Sequence, residues 1–444
     1  MFRLTKKTAL LLLAGALALP AVSLAQNADA TAPQASLLAG DTAFQAFSNV
    51  ERRALTADVA EYTFQVRVGS GPYDVIGVHR VVKEIAPNVP ARTQEAVFLA
   101  HGDIWNFRAA FLTAAQSDAL PDDQALPVFL AENGVDVWGI DFRWTLVPRS
   151  ESDFTFMADW GIEQDARDLG VAIGVARVTR ALTGSGFGKV TLLGWSRGGQ
   201  IGYAYLNGET QLPPGLRQVK GYIPVDIYLK TDVAELKTLA CLRQQGAEAE
   251  IGKNNYASGV GTLAIDLGTA AIADPNGPSL ALAGFTNRQA GLVVGAATFF
   301  LLQGTEPAPV YHFTGGTFEG IVPTGLLYST ERALFDFEAA ASPYQPNREL
   351  ADADAAVCET TDVPFDDHLS EITVPILYVG AGGGFGEFGV YTTTLLGSTD
   401  VTSLIVDLLP DEARIADYGH ADLFLANDAE TRVWQPILDW VRAH

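Results

Sequence analysis

Cationic residues are scarce in this chain. Only 29 Lys and Arg stand against 52 Asp and Glu in 444 residues, a formal charge of −23 at pH 7. Such a surface repels phosphate backbones and anionic lipid, which argues against nucleic acid as a partner and leaves solubility as the role of the excess acid. Cysteine is scarcer still, with Cys241 and Cys358 alone. Two thiols without neighbouring histidines are too few for a structural zinc site, so no metal is expected. There is no internal repeat, no low-complexity tract and no apolar run long enough to span a bilayer comfortably. What is left is globular in character, with 48% hydrophobic and 18% charged residues. The length suits two or three domains, or one large domain with an insertion.

What is present begins with a targeting signature. Arg3, Lys6 and Lys7 precede the apolar stretch TALLLLAGALAL, then Pro20 and SLAQ. The small-x-small pattern at Ser23 and Ala25 suits signal peptidase, with Gln26 as the new first residue. Residues 1–25 are read as a signal peptide, and the mature protein as periplasmic or secreted without stable membrane insertion. Its removal takes three cations and no acid, leaving 26 against 52 and a charge of −26. In an oxidising compartment Cys241 and Cys358 are expected to form a disulfide.

Along the chain, residues 56–84 alternate apolar and polar around a Gly-Ser-Gly-Pro turn, as two antiparallel strands do. EAVFLAHGD (95–103) and GVDVWGIDFR (134–143) are continuous apolar runs, as strands buried on both faces are. Helical stretches fall near 106–117, 126–133 and 159–184. KVTLLGW and VKGYIPVDIYL (219–229) are further buried strands, separated by a helix from GQIGYAYLNG. This alternation predicts an α/β fold with a doubly wound, mostly parallel sheet. It breaks near 230. Residues 231–365, with both cysteines and the apolar segment GLVVGAATFFLLQG (291–304), read as a mainly helical insertion, and that segment as a buried helix. The rhythm resumes with VPILYVGAGGG (374–384), a last strand in ARIADYGHADLF (413–424) and a final helix. Residues 26–230 and 366–444 then form one core domain.

Gly194-Trp195-Ser196-Arg197-Gly198 fits G-x-S-x-G between a buried strand and a helix. A sharp turn there exposes the serine hydroxyl above the sheet. It also aims the Arg197 amide, at a helix N-terminus, toward a developing oxyanion. A serine needs a base. Of six histidines, His420 in DYGHADLF stands past the expected last strand, where strand ends line one crevice. Gly384-x-Gly386-x-x-Gly389 matches a dinucleotide-binding glycine pattern, but no suitable βαβ unit accompanies it. It reads as a loop lining the crevice, and no cofactor is expected.

With His101-Gly102 after the third strand, the turn at Ser196 and Gly419-His420 near the end, the chain resembles the α/β-hydrolase fold family. The resemblance covers about 55–230 and 370–444, and the insertion after the strand following the elbow helix sits where this family carries a cap. It implies that Asp103 supplies a second oxyanion amide, with its side chain turned away, and that His101 holds the loop. The usual place for the triad acid holds none before Glu387. Asp226, at the end of the strand after the elbow helix, occupies the place used in haloalkane-dehalogenase-like members. A carboxylate at the end of an apolar strand is costly unless something uses it. Asp226 is the expected acid and Glu387 the alternative. The function implied is a serine hydrolase of carboxylic esters, acting through an acyl-enzyme on a small, apolar substrate. An amidase or peptidase using the same residues, and a binding protein that kept the fold without turnover, are the alternatives.

Overall fold

The computed structural model describes residues 47–114, 117, 119–302, 310–320 and 322–444. The expected signal peptide, 1–25, lies outside the described residues.

A ten-stranded sheet forms the frame. In chain order its first strands are β1 (Phe47–Ala54), β2 (Val59–Arg67), β3 (Val75–Ala86), β4 (Val89–Pro90), β5 (Ala96–Ala100), β6 (Asp136–Asp141), β7 (Val190–Trp195) and β8 (Val219–Val225). Two small ribbons follow, built from β9 (Ala257–Ser258), β10 (Gly316–Glu319), β11 (Val322–Leu326) and β12 (Gln345–Pro346). The sheet is completed by β13 (Ile376–Ala381) and β14 (Val401–Val406). The spatial order is β1-β2-β3-β6-β5-β7-β8-β13-β14, with β4 on β3. The pairs from β6 through β14 are parallel, and those from β1 to β6 antiparallel.

The continuous apolar runs form the interior strands: β5, β7 and β13 are buried at every residue. Such strands need cover on both faces. Helices Ile162–Leu182 and Arg197–Thr210 pack one face. Helices Phe107–Phe111, Leu126–Glu132 and Gln435–Ala443 pack the other. The chain passes from β5 to β6 on one side and returns to β7 on the other. The order therefore reverses around β5, and the carboxyl ends of β5 and β7 open on one crevice.

Between β8 and β13 lie helices Ala234–Gly252, Val260–Ala273, Asn287–Ala296, Thr298–Leu302, Glu331–Ala339 and Asn347–Cys358. Ala264, Leu292, Leu334 and Phe337 from this segment share one apolar cluster with the face built from Leu126 and Ile437. Cys241 and Cys358 form a disulfide, with their Cα atoms 4.8 Å apart. Cys241 lies inside the helix Ala234–Gly252. Lys230, at the entry to the segment, donates to the Ala356 carbonyl at 2.8 Å and pairs with Asp366, at its exit, at 2.6 Å.

Several elements differ from expectation. The last strand is β14, and residues 411–416 are a 3₁₀ turn. His420 therefore follows a loop, not a strand end. Within the stretch read as one helix over 291–304, the described residues form two, broken at Ala297. The helix near 106–117 closes after Phe111. β1 is an additional edge strand.

Candidate active site

The chain turns sharply at the end of β7. Ser196 adopts φ 56° and ψ −126°, a left-handed conformation costly for a residue with a side chain. It is held there from both sides. Its amide donates to the Val225 carbonyl at the end of β8 (2.9 Å), and the helix Arg197–Thr210 starts at the next residue. The turn brings backbone into contact with backbone. A Cβ on Gly198 would lie 2.2 Å from the Ala100 carbonyl oxygen, so only glycine fits. A Cβ on Gly102 would lie 2.8 Å from the Ser196 Cβ, which puts the loop after β5 against the serine.

Asp226 follows β8 directly and is fully buried. It too is left-handed, at φ 47°. Its carboxylate accepts four hydrogen bonds. Oδ1 takes the amides of Ala381 and Gly386, each at 2.8 Å; Oδ2 takes the Phe385 amide at 3.1 Å and His420 Nδ1 at 2.6 Å. Three backbone donors compensate a charge that would otherwise be expensive in the interior. One is Ala381, the last residue of β13, and the other two come from the glycine-rich loop after it, the same loop that matches the dinucleotide pattern. A Cβ on Gly384 would sit 2.0 Å from Asp226 Oδ2, so its glycine is a steric requirement of the acid.

The carboxylate accepts the proton on His420 Nδ1, which leaves Nε2 as the basic nitrogen. The imidazole is 1% exposed. It stacks on Trp195, the residue before the serine, at 4.9 Å between centroids, and the Trp195 indole N–H donates to the His420 carbonyl at 3.3 Å. Tyr311, Phe313 and Phe385 surround its other sides at 5.4–5.9 Å. A strap from the inserted segment holds its loop. The amides of His420 and Ala421 donate to the carbonyls of His312 and Phe313 at 2.9 and 2.7 Å, and the His312 amide donates to the Gly383 carbonyl at 3.0 Å.

Asp103 and Arg197 face each other across the serine turn. Arg197 Nε and Nη2 reach the two carboxylate oxygens at 2.8 and 3.1 Å, a bidentate pair. Burial alone would raise the Asp103 carboxyl; the Arg197 guanidinium overrides it and holds the group below the ordinary range. Neither backbone amide donates a loop or cap hydrogen bond among the described residues. His101 is neutral, its pKa pushed down to about 4 by burial. It bonds the Gly102 carbonyl through Nδ1 (3.0 Å), while Nε2 accepts from the Phe142 amide (3.3 Å), so it orders the loop.

Of the residues singled out by sequence, the structure brings together Asp226 with His420, and Asp103 with Arg197, the residue after Ser196. It leaves Glu387 exposed on the 3₁₀ turn Gly386–Gly389, with the neighbouring amides of that turn serving Asp226 instead. Sequence reasoning missed the amide donors to Asp226, the strap 310–315, and two buried side chains near Asp103, Gln345 and Glu349. The run of glycines after β13 was the one visible signal.

No protein-family model matches the chain, and no curated protein matches it. A candidate lipase from Sulfolobus solfataricus matches 89% of this chain over 99% of its own length, with a TM-score of 0.59 at 18% identity. The chain has the α/β-hydrolase fold. A soluble variant of monoglyceride lipase from Saccharomyces cerevisiae also matches, over 89% of this chain and 96% of that one, with 11% identity and a TM-score of 0.44. Asp226 directly follows β8, the strand after the helix Arg197–Thr210.

Proposed function

We propose that this protein is a serine hydrolase of carboxylic esters, with Ser196 as nucleophile, His420 as base and Asp226 as the orienting acid. The observation that carries the reading is the 2.6 Å contact from His420 Nδ1 to a carboxylate already saturated by three amides. That contact sets the tautomer and stabilises the imidazolium formed when His420 takes the serine proton. The strained backbone at Ser196 presents the hydroxyl at the crevice.

In the first half-reaction Ser196 Oγ attacks the ester carbonyl while Nε2 accepts its proton. The tetrahedral oxyanion is met by the backbone amides of Arg197 and Asp103, the former at a helix N-terminus. His420 returns the proton to the departing alkoxide, which leaves as an alcohol. Water, deprotonated by the same nitrogen, then cleaves the acyl-enzyme and frees the acid. The aromatic surroundings of His420 favour an apolar substrate, in keeping with the lipase neighbour. The Cys241–Cys358 bridge and the N-terminal signature support a periplasmic or secreted protein.

Ser196→Ala is expected to keep the fold and to abolish both labelling by a fluorophosphonate and turnover of p-nitrophenyl esters. A folded variant that turns over near the wild-type rate would remove Ser196 from the chemistry. Peptide anilides assayed beside the esters separate esterase from amidase.

A further inference from the structure

The inserted segment reaches the serine turn through a buried amide, beside Glu349, whose Oε1 lies 4.0 Å from Arg197 Nε. Gln345, on β12, is 2% exposed. Its Nε2 donates to Asp103 Oδ1 and, at 3.4 Å, to Glu349 Oε1. Both neighbours are carboxyl groups, so the nitrogen end of the amide must face them. The side chain is anchored from behind: β12 pairs with β9, and Asn347, two residues past Gln345, donates its amide to the Tyr256 carbonyl at 2.9 Å. A second contact lands one residue along the same loop, where the Ser342 amide donates to the Ile104 carbonyl at 2.6 Å. Ile104 is itself left-handed, at φ 54°.

These contacts converge on Asp103, whose carboxylate already holds Arg197. Arg197 is in turn fixed on its far side by Gln200. We propose that Gln345 is a positioning residue for oxyanion stabilisation: by holding the Asp103 carboxylate against the Arg197 guanidinium, it fixes the separation of the two backbone amides that flank Ser196. The proposal rests on the serine-hydrolase reading. Its logic is preorganisation. An oxyanion donor is effective when it already stands where charge will develop, and a loop with a left-handed residue beside the donor has no regular secondary structure to hold it there. Asp103 and Gln345 are 242 positions apart, so the inserted segment completes a part of the site that the core sheet leaves adjustable.

The test uses the full mature chain. Gln345→Leu removes the donor at similar volume; Gln345→Glu keeps the shape and replaces the donor with a group that donates only when protonated. With a p-nitrophenyl ester, both variants are expected to lose about 10-fold or more in kcat with KM little changed, a fraction of the 10²–10³ seen when an oxyanion donor is removed outright. The inhibition constant of an aryl trifluoromethyl ketone, which forms a tetrahedral oxyanion on the serine, should rise by the factor by which kcat/KM falls. For Gln345→Glu the rate relative to wild type should recover as pH falls. A role confined to stability would move the melting temperature and neither of these. Wild-type kcat in either folded variant overturns the proposal, as does a fall in kcat with ketone affinity retained. Ser196→Ala, run in parallel, separates the two levels. If it stays active, the hydrolase reading itself fails; if it is dead while both Gln345 variants match wild type, only the clamp fails.

Discussion

Asp226 spends both oxygens on four donors, so its carboxylate is fixed before any substrate arrives. Asparagine at this position would offer an NH₂ to one of those donors. The imidazole would then lose its acceptor and favour the wrong tautomer. Asp226→Asn is therefore expected to leave the fold intact and to lower kcat about 10⁴-fold, as an aspartate-to-asparagine change does in Ser-His-Asp hydrolases. Glu387→Gln, on an exposed side chain with no bond to His420, should leave the rate unchanged. Steady-state kinetics on the two purified variants checks both halves. The reverse ranking would return the acid to the loop after β13.

At the scale of elements, the inserted segment docks on the core through a seam of buried and half-buried carboxyls. Glu349 and Asp352 on helix Asn347–Cys358 face Asp165 on helix Ile162–Leu182. Burial, and then the charge of Asp103, pushes Glu349 up to about 8; burial pushes Asp352 up to about 6 and Asp165 well above its usual range. A carboxyl with a raised folded-state pKa is still protonated in the folded protein at a pH where the unfolded chain has released its proton. Stability is then full below the unfolded value and declines as pH rises toward the folded one. For Glu349 the window runs from 4.5, its ordinary value, to about 8. Glu349→Gln, which mimics the protonated form, should unfold in urea at the wild-type midpoint near pH 5 and at a higher midpoint near pH 8.5. Equal midpoints at both pH values would mean that Glu349 ionises freely where it sits.

Elements were legible in the sequence where one signal dominated. β5, β7, β8 and β13 announce themselves as short apolar runs, because strands covered on both faces have no solvent side to alternate with. β14 was missed because it is an edge strand: only its last residue, Val406, is fully buried, and Thr402 and Ser403 break its pattern. The apolar content of ARIADYGH then mimicked a strand where a 3₁₀ turn packs instead. The candidate site divides in the same way. Ser196 and Asp226 were legible because each directly follows an apolar strand. His420 was reached through its neighbours Gly419 and the final helix, although the strand assigned before it was wrong. Gln345 reaches Asp103, 242 positions away, and the strap at 310–315 bonds the distant loops after β13 and around His420, so nothing local marks them.

For the whole molecule, the question is whether the inserted segment unfolds on its own. Its strap bonds the His420 loop, its Ser342 and Gln345 bond the loop after β5, and its helices share an apolar cluster with one face of the sheet. These ties cross between segment and core, so the two should lose structure together. The Cys241–Cys358 bridge spans a sequence separation of 117 and joins two helices near the entry and exit of the segment. Closing so long a loop restricts the unfolded chain, by about 4–5 kcal/mol as an upper, model-dependent figure. Reduction should therefore lower the melting temperature of the entire protein. In calorimetry, one endotherm is expected with the bridge intact, and one endotherm shifted down by several degrees after reduction or in Cys241→Ser. A reduced sample that splits into two transitions, one at the original temperature, would show that segment and core are separate cooperative units, with the bridge stabilising only the first.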